Sequence, residues 1–372
     1  MSGQVHSIFC ITPPHMLERI AEYGTPRQRE WALKTLSTTE RFRGQRQIST
    51  EFSPLAATRA AEEKQRITYD AEYGSSLPGR VVRSEGDPPV GDPAVDEAHD
   101  GAGETYDLYK EVYGRDSIDG HGMRIESTVH YQHGYDNAFW NGQQMVYGDG
   151  DEDLPEGERL FNRFTAAIDI IGHELTHGVT QHEARLIYWE QPGALNESFS
   201  DVFGVLVKQR LLGETASEAD WLIGAGLFTP NVLGQGIRSM QAPGTAYDDP
   251  LLGKDPQPGH MDDYVHTGSD NGGVHINSGI PNRAFCVTAL EIGGYAWEKA
   301  GQIWYIALKD RLGIRSNFQD AANVTFQVAG DLYGANSLEQ QAVAKGWAAV
   351  GLGITGPEKP GCWERVRSFF GR

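Results

Sequence analysis

The stretch from Phe161 to His177 constrains the fold more than any other part of this 372-residue chain. Its large apolar residues recur every three or four positions, at Phe161, Phe164, Ile168, Ile171 and Leu175. This spacing is typical of an α-helix. The stretch ends in the run HELTH at 173–177, and residues four apart on a helix lie on one face, one turn apart. The sequence therefore predicts a helix that presents His173 and His177 together.

These two histidines and the glutamate that follows the first have the pattern of a zinc site. Two imidazoles one turn apart can bind one zinc ion at roughly 2.0–2.1 Å. Glu174 is displaced around the helix, so it can contact a zinc-bound water without binding the metal and can act as a base. A chance match on a surface helix is the alternative interpretation of the run.

A catalytic zinc needs a third protein ligand and leaves its fourth position to water. Glu197 is the best candidate, because it begins the next predicted helix. Asp201 follows four residues later on the same face, where it can accept the free ring N–H of a ligating histidine. Asn196 is assigned a supporting place beside the ligands. The alternative is that the Asn–Glu pair simply caps the helix.

The two halves of the chain differ in their pattern. In the first half, short alternating segments predict strands, around 66–70, 80–83 and 125–147. In the second half, helical spacing recurs over 194–211, 275–291, 294–312, 317–333 and 337–349. Other segments predict short helices at 13–43, a polar linker at 44–65 and an irregular loop at 84–103. We therefore expect an α+β protein with two lobes.

Composition excludes several kinds of partner. The chain has 32 Lys and Arg against 51 Asp and Glu, and its formal net charge of -19 disfavours nucleic acid and anionic lipid. Its three cysteines are too few for a disulfide framework. No apolar run long enough to insert into a membrane occurs, and the first ten residues lack the pattern of a signal peptide. By default we expect a cytoplasmic protein, with secretion by a non-standard route as the alternative.

Several runs, in this order along the chain, resemble one known family. The HELTH run, Glu197 twenty residues after His177, and Asp201 resemble the thermolysin family of neutral zinc metallopeptidases. So do NAFWNG at 137–142, MVYGDG at 145–150 and NGGVHINSGI at 271–280. The resemblance extends from about residue 65 to about residue 352. It implies a two-lobed α+β fold, β-rich at the N-terminal side and helical at the C-terminal side, with one catalytic zinc ion in the cleft.

The resemblance also implies catalytic roles. Glu174 would take a proton from the zinc-activated water and pass it to the leaving amine. His275, oriented by Asp270, and Tyr188 would donate to the oxyanion. Together these roles imply hydrolysis of protein or peptide substrates. Two alternatives are a zinc-dependent aminopeptidase and a catalytically silent zinc-binding relative.

Substrate contacts follow from the same resemblance. Asn137, Ala138 and Arg238 would hold the backbone of the peptide as an added strand. An apolar pocket for the residue after the cut would be lined by Phe161, Phe164, Ile170 and Ile237. An apolar pocket favours apolar side chains, so we expect an endopeptidase that cuts on the N-terminal side of bulky hydrophobic residues.

The chain departs from the family at the usual paired-calcium site. Asp169 and Asp220 match two of its acids, but Lys208 stands where a shared glutamate is expected. Leu222 and Ala225 occupy two other acid positions of this site, and Gln235 stands where another calcium site of the family has an aspartate. An ammonium group can replace a cation between two carboxylates, so we expect a salt bridge through Lys208 and no calcium pair.

The run CITPPHML at 10–17 resembles the short pro-segment of protealysin-like enzymes. It implies a zymogen whose own pro-segment is an intramolecular inhibitor, and we expect a monomer. The expected boundaries are 1–50 for the pro-segment and linker, 51–167 for the β-rich lobe, 168–355 for the helical lobe and 356–372 for a C-terminal tail. Two roles are open for Cys10, a thiolate bound to zinc or a small apolar anchor.

Overall fold

A six-stranded mixed sheet is the main element of the first lobe in this computed structural model, which describes residues 9–49 and 63–355. In chain order its strands are β1 (Phe9–Cys10), β2 (Arg66–Asp70), β3 (Arg80–Ser84), β4 (Ile125–Val129), β5 (Ala138–Trp140) and β6 (Met145–Tyr147). Across the sheet the order is β1-β5-β6-β4-β2-β3, and β2, β4 and β6 are parallel. The edge beside β5 is therefore covered by the N-terminal part of the chain, in antiparallel pairing.

Helices make up most of the second lobe. In chain order the helices are α1 (Pro14–Tyr23), α2 (Pro26–Ser49), α3 (Pro93–Asp107), α4 (Ile168–His182), α5 (Glu190–Leu212), α6 (Asp270–Asn277), α7 (Gly279–Ile292), α8 (Lys299–Ile306), α9 (Phe318–Tyr333) and α10 (Leu338–Ala348). Two small antiparallel sheets pair β7 (Leu222–Ile223) with β8 (Arg238–Ser239), and β9 (Asp248–Asp249) with β10 (Gly253–Lys254). The predicted α+β fold with two lobes is confirmed. Within the described ranges, no helix combines the length and apolar character needed to cross a membrane.

Helix α4 lies between the two lobes and is buried from Asp169 to Thr180. It packs against α5 on one side and against α3 and β5 on others. Glycines allow the close approach to α5, because a Cβ at Gly172 would lie only 3.0 Å from the Cα of Gly204. The HELTH run thus lies on a helix that both lobes hold in place.

Residues 9–49, which we call the N-terminal segment, lie across the cleft between the lobes as β1, α1 and α2. The apolar face of α1 buries Met16, Leu17 and Ile20. On α2, the ring of Trp31 covers Gly134 so closely that a Cβ there would lie 2.0 Å from the ring. The helices predicted at 13–43 are confirmed, and the segment is docked by both apolar packing and β-pairing.

Two expected segments differ from the structure. Residues 84–103 are not one irregular loop, because α3 begins at Pro93. The Asp92 carboxylate caps this helix by accepting from the N–H groups of Ala94 and Val95, and its buried side chains are mostly small. The linker expected at 44–65 is partly wrong, because α2 continues to Ser49. The rest of the linker up to Glu62 and the expected tail at 356–372 lie outside the described residues.

Candidate active site

His173, His177 and Glu197 bring three ligand atoms to one buried point. The Nε2 atoms of the two histidines are 3.0 Å apart, and they lie 3.5 and 3.4 Å from the carboxylate oxygens of Glu197. A tetrahedral ion with ligands at about 2.05 Å holds them roughly 3.3 Å apart, so this spacing fits zinc. Glu197 Oε2 is buried and accepts no hydrogen bond from the described residues, as expected of an atom that faces a cation.

The other ring nitrogen of each histidine is fixed by α5. His173 Nδ1 lies 2.8 Å from Asp201 Oδ1. His177 Nδ1 lies 2.9 Å from both Asn196 Oδ1 and Ser200 Oγ. These contacts keep the Nε2 lone pairs directed at the common point. Asp201 and Asn196 therefore have the supporting positions that the sequence assigned to them.

Asp201 also joins the zinc triad to Arg238. The guanidinium donates from Nε and Nη2 to the two carboxylate oxygens of Asp201, at 2.9 and 2.7 Å. Asn282 Nδ2 donates to the same carboxylate at 2.8 Å. Although burial opposes ionisation, Arg238 and His173 lower the pKa of Asp201 well below its ordinary value. The carboxylate therefore stays ionised and can hold both partners.

Glu174 lies on α4 between the two histidines and takes no part in the triad. Its Oε2 accepts from the backbone N–H of Trp140 at 3.0 Å, while its Oε1 is buried and accepts no hydrogen bond from the described residues. Burial, followed by the charge of Glu197, raises the pKa of Glu174 well above its ordinary value. A carboxylate with one oriented and one open oxygen, and a raised pKa, is suited to accepting a proton.

His275 and Tyr188 lie beside the Glu197 carboxylate of the triad. His275 Nδ1 is held at 2.6 Å by Asp270, and its Nε2 lies 3.2 Å from the hydroxyl of Tyr188, which donates to Glu197. Burial lowers the pKa of His275, but the Asp270 and Glu197 carboxylates outweigh it and raise that pKa to about 9. His275 is therefore a cation at neutral pH, with an N–H to donate.

Asp270 and His275 are brought together by the turn that begins α6. Asn271, Gly272 and Gly273 have left-handed backbone angles, with φ of 51°, 82° and 77°. Such angles favour glycine and asparagine, which the NGG run supplies. The turn also lets the backbone N–H of His275 donate to Asp270 Oδ2 at 2.9 Å. The run at 271–280 therefore forms the turn through Asn271 and the two glycines, and it also supplies His275 to the site.

The N-terminal segment binds in this cleft like a peptide. The carbonyl of Cys10 lies 2.9 Å from His275 Nε2, and the carbonyl of Ile11 accepts from Arg238 Nη1 at 3.2 Å. Ile11 N–H donates to the carbonyl of Ala138 at 3.2 Å, and Thr12 N–H donates to Asn137 Oδ1 at 3.0 Å. Each of the residues predicted to hold a substrate backbone therefore contacts the protein's own chain.

Four apolar residues predicted to line a substrate pocket are brought together in the core. Phe161, Phe164, Ile170 and Ile237 are each at most 1% exposed, and they belong to the same apolar cluster as the fully buried Ile11. The rings of Phe161 and Phe164 are 6.0 Å apart. A Cβ at Gly224 would lie 3.1 Å from Ile237 and 3.7 Å from Ile170, so these two residues border one glycine. The structure thus brings these residues together in two pairs, Phe161 with Phe164 and Ile170 with Ile237, within the same apolar core as Ile11.

The side chain of Cys10 has an apolar environment. It is 1% exposed and belongs to a small cluster with Tyr131, Tyr135, Phe139 and Val146. Within the described residues, the group able to hold a metal consists of His173, His177 and Glu197, without Cys10. Of the two roles left open by the sequence, these contacts favour the apolar anchor.

Lys208 lies between the two acids that the sequence paired with it. Its Nζ is 3.2 Å from Asp169 Oδ2 and 2.8 Å from Asp220 Oδ1, and it donates to the carbonyl of Leu222 at 2.7 Å. Burial lowers the pKa of Lys208, but these carboxylates outweigh it and keep the pKa above its ordinary value. An ammonium group therefore supplies positive charge at this point.

Sequence reasoning assigned no role to three groups that the structure adds to the site. These groups are the Ser200 hydroxyl on His177, the Asn282 amide on Asp201 and the Trp140 backbone N–H on Glu174. Ser200 is four residues after Asn196, so helical spacing could have indicated it. The contact of Asn282 depends on the packing of α7 against α5, and the backbone donor carries no sequence signal.

Two family models match consecutive parts of the chain. The model described as the thermolysin metallopeptidase catalytic domain matches residues 37–181, and the one described as its alpha-helical domain matches residues 184–352. Among solved structures, the precursor of protealysin, a metalloproteinase from Serratia proteamaculans, is 51% identical with a TM-score of 0.83. That alignment covers 92% of this chain and 99% of the other. The fold therefore agrees with an independent comparison.

Two relatives bear on where the protein acts. An "Extracellular metalloprotease" from Pectobacterium carotovorum subsp. carotovorum is 49% identical, over 93% of this chain and 97% of the relative. An "Extracellular minor metalloprotease" from Serratia marcescens is 43% identical, over 78% of this chain and 79% of the relative. The expectation of a cytoplasmic protein is wrong in the light of these names. It rested only on the composition of the first residues, which is a weak guide to location.

Proposed function

The chain belongs to the thermolysin family of metallopeptidases, and we propose that it cuts peptide chains on the N-terminal side of bulky hydrophobic residues. It is a metalloendopeptidase whose candidate zinc ligands are His173, His177 and Glu197. Bound there, zinc supplies a Lewis acid that polarises the scissile carbonyl and acidifies water. The chain's own residues orient the substrate, move the proton and stabilise the developing charge.

Each catalytic role in the proposal is supported by a contact. Glu174 takes a proton from the attacking water on its open Oε1 and returns it to the leaving nitrogen. His275, held as a cation by Asp270, donates from Nε2 to the carbonyl oxygen as negative charge grows there. The buried hydroxyl of Tyr188 remains protonated, because burial and Glu197 raise its pKa well above the ordinary value, so it is a second donor.

The path of the N-terminal segment is the observation that carries the specificity. Its Cys10 carbonyl contacts the oxyanion donor His275, so Ile11 has the position of the residue after the cut. Arg238 and Ala138 hold the backbone of Ile11, as they would hold a substrate. The side chain of Ile11 is fully buried and belongs to the apolar core that also contains Phe161 and Ile237. A substrate residue there gains from burial in proportion to its apolar area, which favours Leu, Ile, Phe and Val.

We also propose that the N-terminal segment keeps the protein latent until it is removed. Its strand β1 pairs with β5 where a substrate would pair, and it occupies the contacts of Arg238, His275 and Asn137. Removal of the segment exposes all of them at once. The segment is thus both part of the fold and a competitor of substrates.

We also propose where the enzyme acts, which metal ions it uses and that it is monomeric. Relatives named as extracellular support activity outside the cell. The Lys208 salt bridges support a zinc enzyme without a calcium pair. We propose further that the enzyme is a monomer, with lobes at 51–167 and 168–355.

A peptide library tests the proposal. Blocked peptides should be cut before Leu, Ile, Phe or Val after the N-terminal segment is removed. Zinc removal or Glu174→Gln should lower kcat by at least a thousandfold, while the exposed control Glu156→Gln should leave it unchanged. Cleavage mainly before charged residues would contradict the specificity. A requirement for a free substrate amine would indicate an aminopeptidase, and no cleavage at all would indicate a silent relative.

A further inference from the structure

Asn282, near the start of α7, completes the set of donors around the Asp201 carboxylate. Its side chain is fully buried, and its Nδ2 donates to Asp201 Oδ2 at 2.8 Å. The same oxygen accepts from Arg238 Nε at 2.9 Å. Asp201 Oδ1 accepts from Arg238 Nη2 at 2.7 Å and lies 2.8 Å from His173 Nδ1. Among the described residues, each oxygen thus has two partners, and one of these contacts comes from α7.

The amide oxygen of Asn282 has no such partner. Oδ1 is buried and accepts no hydrogen bond from the described residues. A buried polar atom without a partner costs folding free energy, and leucine has the same branched shape without that cost. The stability of the fold therefore does not account for an amide at this position. The contact of its Nδ2 with Asp201 does.

Asn282 also belongs to the same helical unit as His275. Helix α6 carries His275, and α7 begins two residues after α6 ends. The N–H of Asn282 donates to the carbonyl of Ser278, the residue between the two helices. A second buried amide holds this unit elsewhere, because Gln257 Nε2 donates to the carbonyl of His275 at 2.7 Å. The unit that carries the oxyanion donor is therefore held by a buried amide at each of two points.

We propose that Asn282 is a positioning residue for the metal site and for the oxyanion donor, a role that rests on the proposed function. It acts through Asp201, which orients His173, and through the backbone of the α6–α7 unit, which carries His275. Its hydrogen bond joins α5 to that unit in the core. Loss of the bond lets the unit move relative to the zinc ligands, while Arg238 keeps both of its bonds to Asp201.

Asn282→Leu removes the donor and the unpartnered oxygen together. We expect zinc affinity, measured by chelator competition on the full chain, to fall about five- to tenfold. The melting temperature of the zinc-free protein should stay within about 2 °C of the wild type or rise, because a buried polar atom is removed. Asn282→Ala also lacks the donor and gives the same zinc measurement if the leucine variant does not fold. Unchanged zinc affinity with a lower melting temperature would show that Asn282 only fills space, and would overturn the proposal.

Peptide hydrolysis provides a second measurement after the N-terminal segment is removed. At saturating zinc, kcat should fall about tenfold and KM should change less than about twofold, because His275 stabilises charge that develops only in the transition state. The matched control is Thr288→Val on the same helix, since the hydroxyl of Thr288 is fully buried and donates within α7 to the carbonyl of Ala284 at 2.8 Å. This control should have wild-type zinc affinity and wild-type kcat. An equal loss in both variants would overturn the specific role of Asn282.

A double-mutant cycle checks that the effect on zinc passes through Asp201. In Asp201→Asn, the one oxygen left at this position accepts from the charged Arg238. The further change Asn282→Leu should therefore alter zinc affinity by less than about twofold. Additive losses of zinc affinity in the double variant would overturn this path.

The wild-type enzyme separates the role of Asn282 from the function on which it rests. If the wild type cuts a blocked peptide but Asn282→Leu has wild-type kcat and zinc affinity, the role of Asn282 alone is excluded. If the wild type cuts no peptide, the proposed function fails, and the zinc affinity of Asn282→Leu still decides whether this residue positions the metal site.

Discussion

Arg238 and Asp201 form a two-point ion pair in the buried centre of the molecule, with N–O distances of 2.9 and 2.7 Å. The same carboxylate lies 2.8 Å from His173 Nδ1, and the same guanidinium donates to the carbonyl of Ile11. One carboxylate thus connects the residue that holds the peptide backbone to a residue of the zinc triad. A change in either residue should therefore alter both metal affinity and substrate affinity.

Asp201→Asn tests this connection. The amide cannot accept from both His173 and Arg238 as a charged carboxylate does, so we expect zinc affinity to fall by roughly 10- to 100-fold and KM to rise. Chelator competition measures the first change and steady-state kinetics the second. The exposed Asp248→Asn is the matched control and should change neither. Wild-type zinc affinity in Asp201→Asn would contradict the role given to this carboxylate.

Lys208→Met should destabilise the fold. It leaves the 1%-exposed carboxylate of Asp169 buried without its cation, at a cost of about 3 kcal/mol. The free energy of unfolding is measured in buffer stripped of divalent ions and resupplied with zinc alone. Lys309→Met, at a half-exposed side chain, is the control.

Calcium provides the second part of the Lys208 experiment. Added calcium should leave the melting temperature of the wild type unchanged, since Lys208 already neutralises Asp169 and Asp220. A rise of several degrees in the wild type would show that calcium binds the folded form and would contradict the proposed substitution.

Docking of the N-terminal segment should weaken in acid through His15. Burial lowers the pKa of His15 to about 4. The nearby charge of Asp270 opposes this shift, and the charges of His275 and Arg238 add to it. Above pH 6.5 His15 is neutral whether docked or free, so docking does not depend on its titration. Between pH 6.5 and 4 only the free form gains a proton, so docking weakens by up to about tenfold per pH unit.

Hydrogen exchange across α1, corrected for intrinsic rates, measures this effect of pH. The protein is Glu174→Gln, which is expected to lack peptidase activity and so to keep its N-terminal segment, with and without His15→Gln. The difference between the two proteins should grow as the pH falls from 6.5 to 4. A constant difference over that range would exclude His15 as the cause.

Cys10→Ala should keep the protein latent. The side chain of Cys10 packs against Tyr131, Tyr135 and Phe139, so its loss removes apolar contact worth about 1 kcal/mol and no zinc ligand. The activity of the unprocessed chain on a blocked peptide is the measurement. Ile11→Asp is the contrasting variant, because it places a charge in the apolar pocket and should release activity. Full activity in unprocessed Cys10→Ala would indicate that the thiol itself blocks the site.

The sequence predicted the parts of the fold whose pattern is local. The apolar spacing before His173 predicted helix α4, and spacing alone located α9 and α10 within a few residues. The helix α3 was missed because its buried face consists of small residues such as Ala98, Gly101 and Ala102, which carry little periodic signal. There, tight packing and the Asp92 cap determine the structure, and composition suggested a loop.

The candidate site likewise contains residues that the sequence predicts and contacts that it does not. Residues fixed by spacing on one helix pair, such as His173, His177 and Glu197, were predictable from the amino-acid sequence. The contacts that join separate elements were not, because they depend on how α5, α7 and β8 pack. Asn282 on Asp201 and the Cys10 carbonyl on His275 are of this second kind. The second contact joins residues 265 positions apart, a distance over which periodicity carries no information.

Strand β1 covers one side of β5, so β5 becomes an edge strand when the N-terminal segment is lost. An uncovered edge pairs with any extended chain that reaches it, including a second copy of the same protein. The open edge that lets the released enzyme bind substrates thus also makes that enzyme prone to self-association. While it is attached, the N-terminal segment covers this edge and acts as an intramolecular chaperone. It protects the folding enzyme from self-association as well as protecting the cell's other proteins from cleavage.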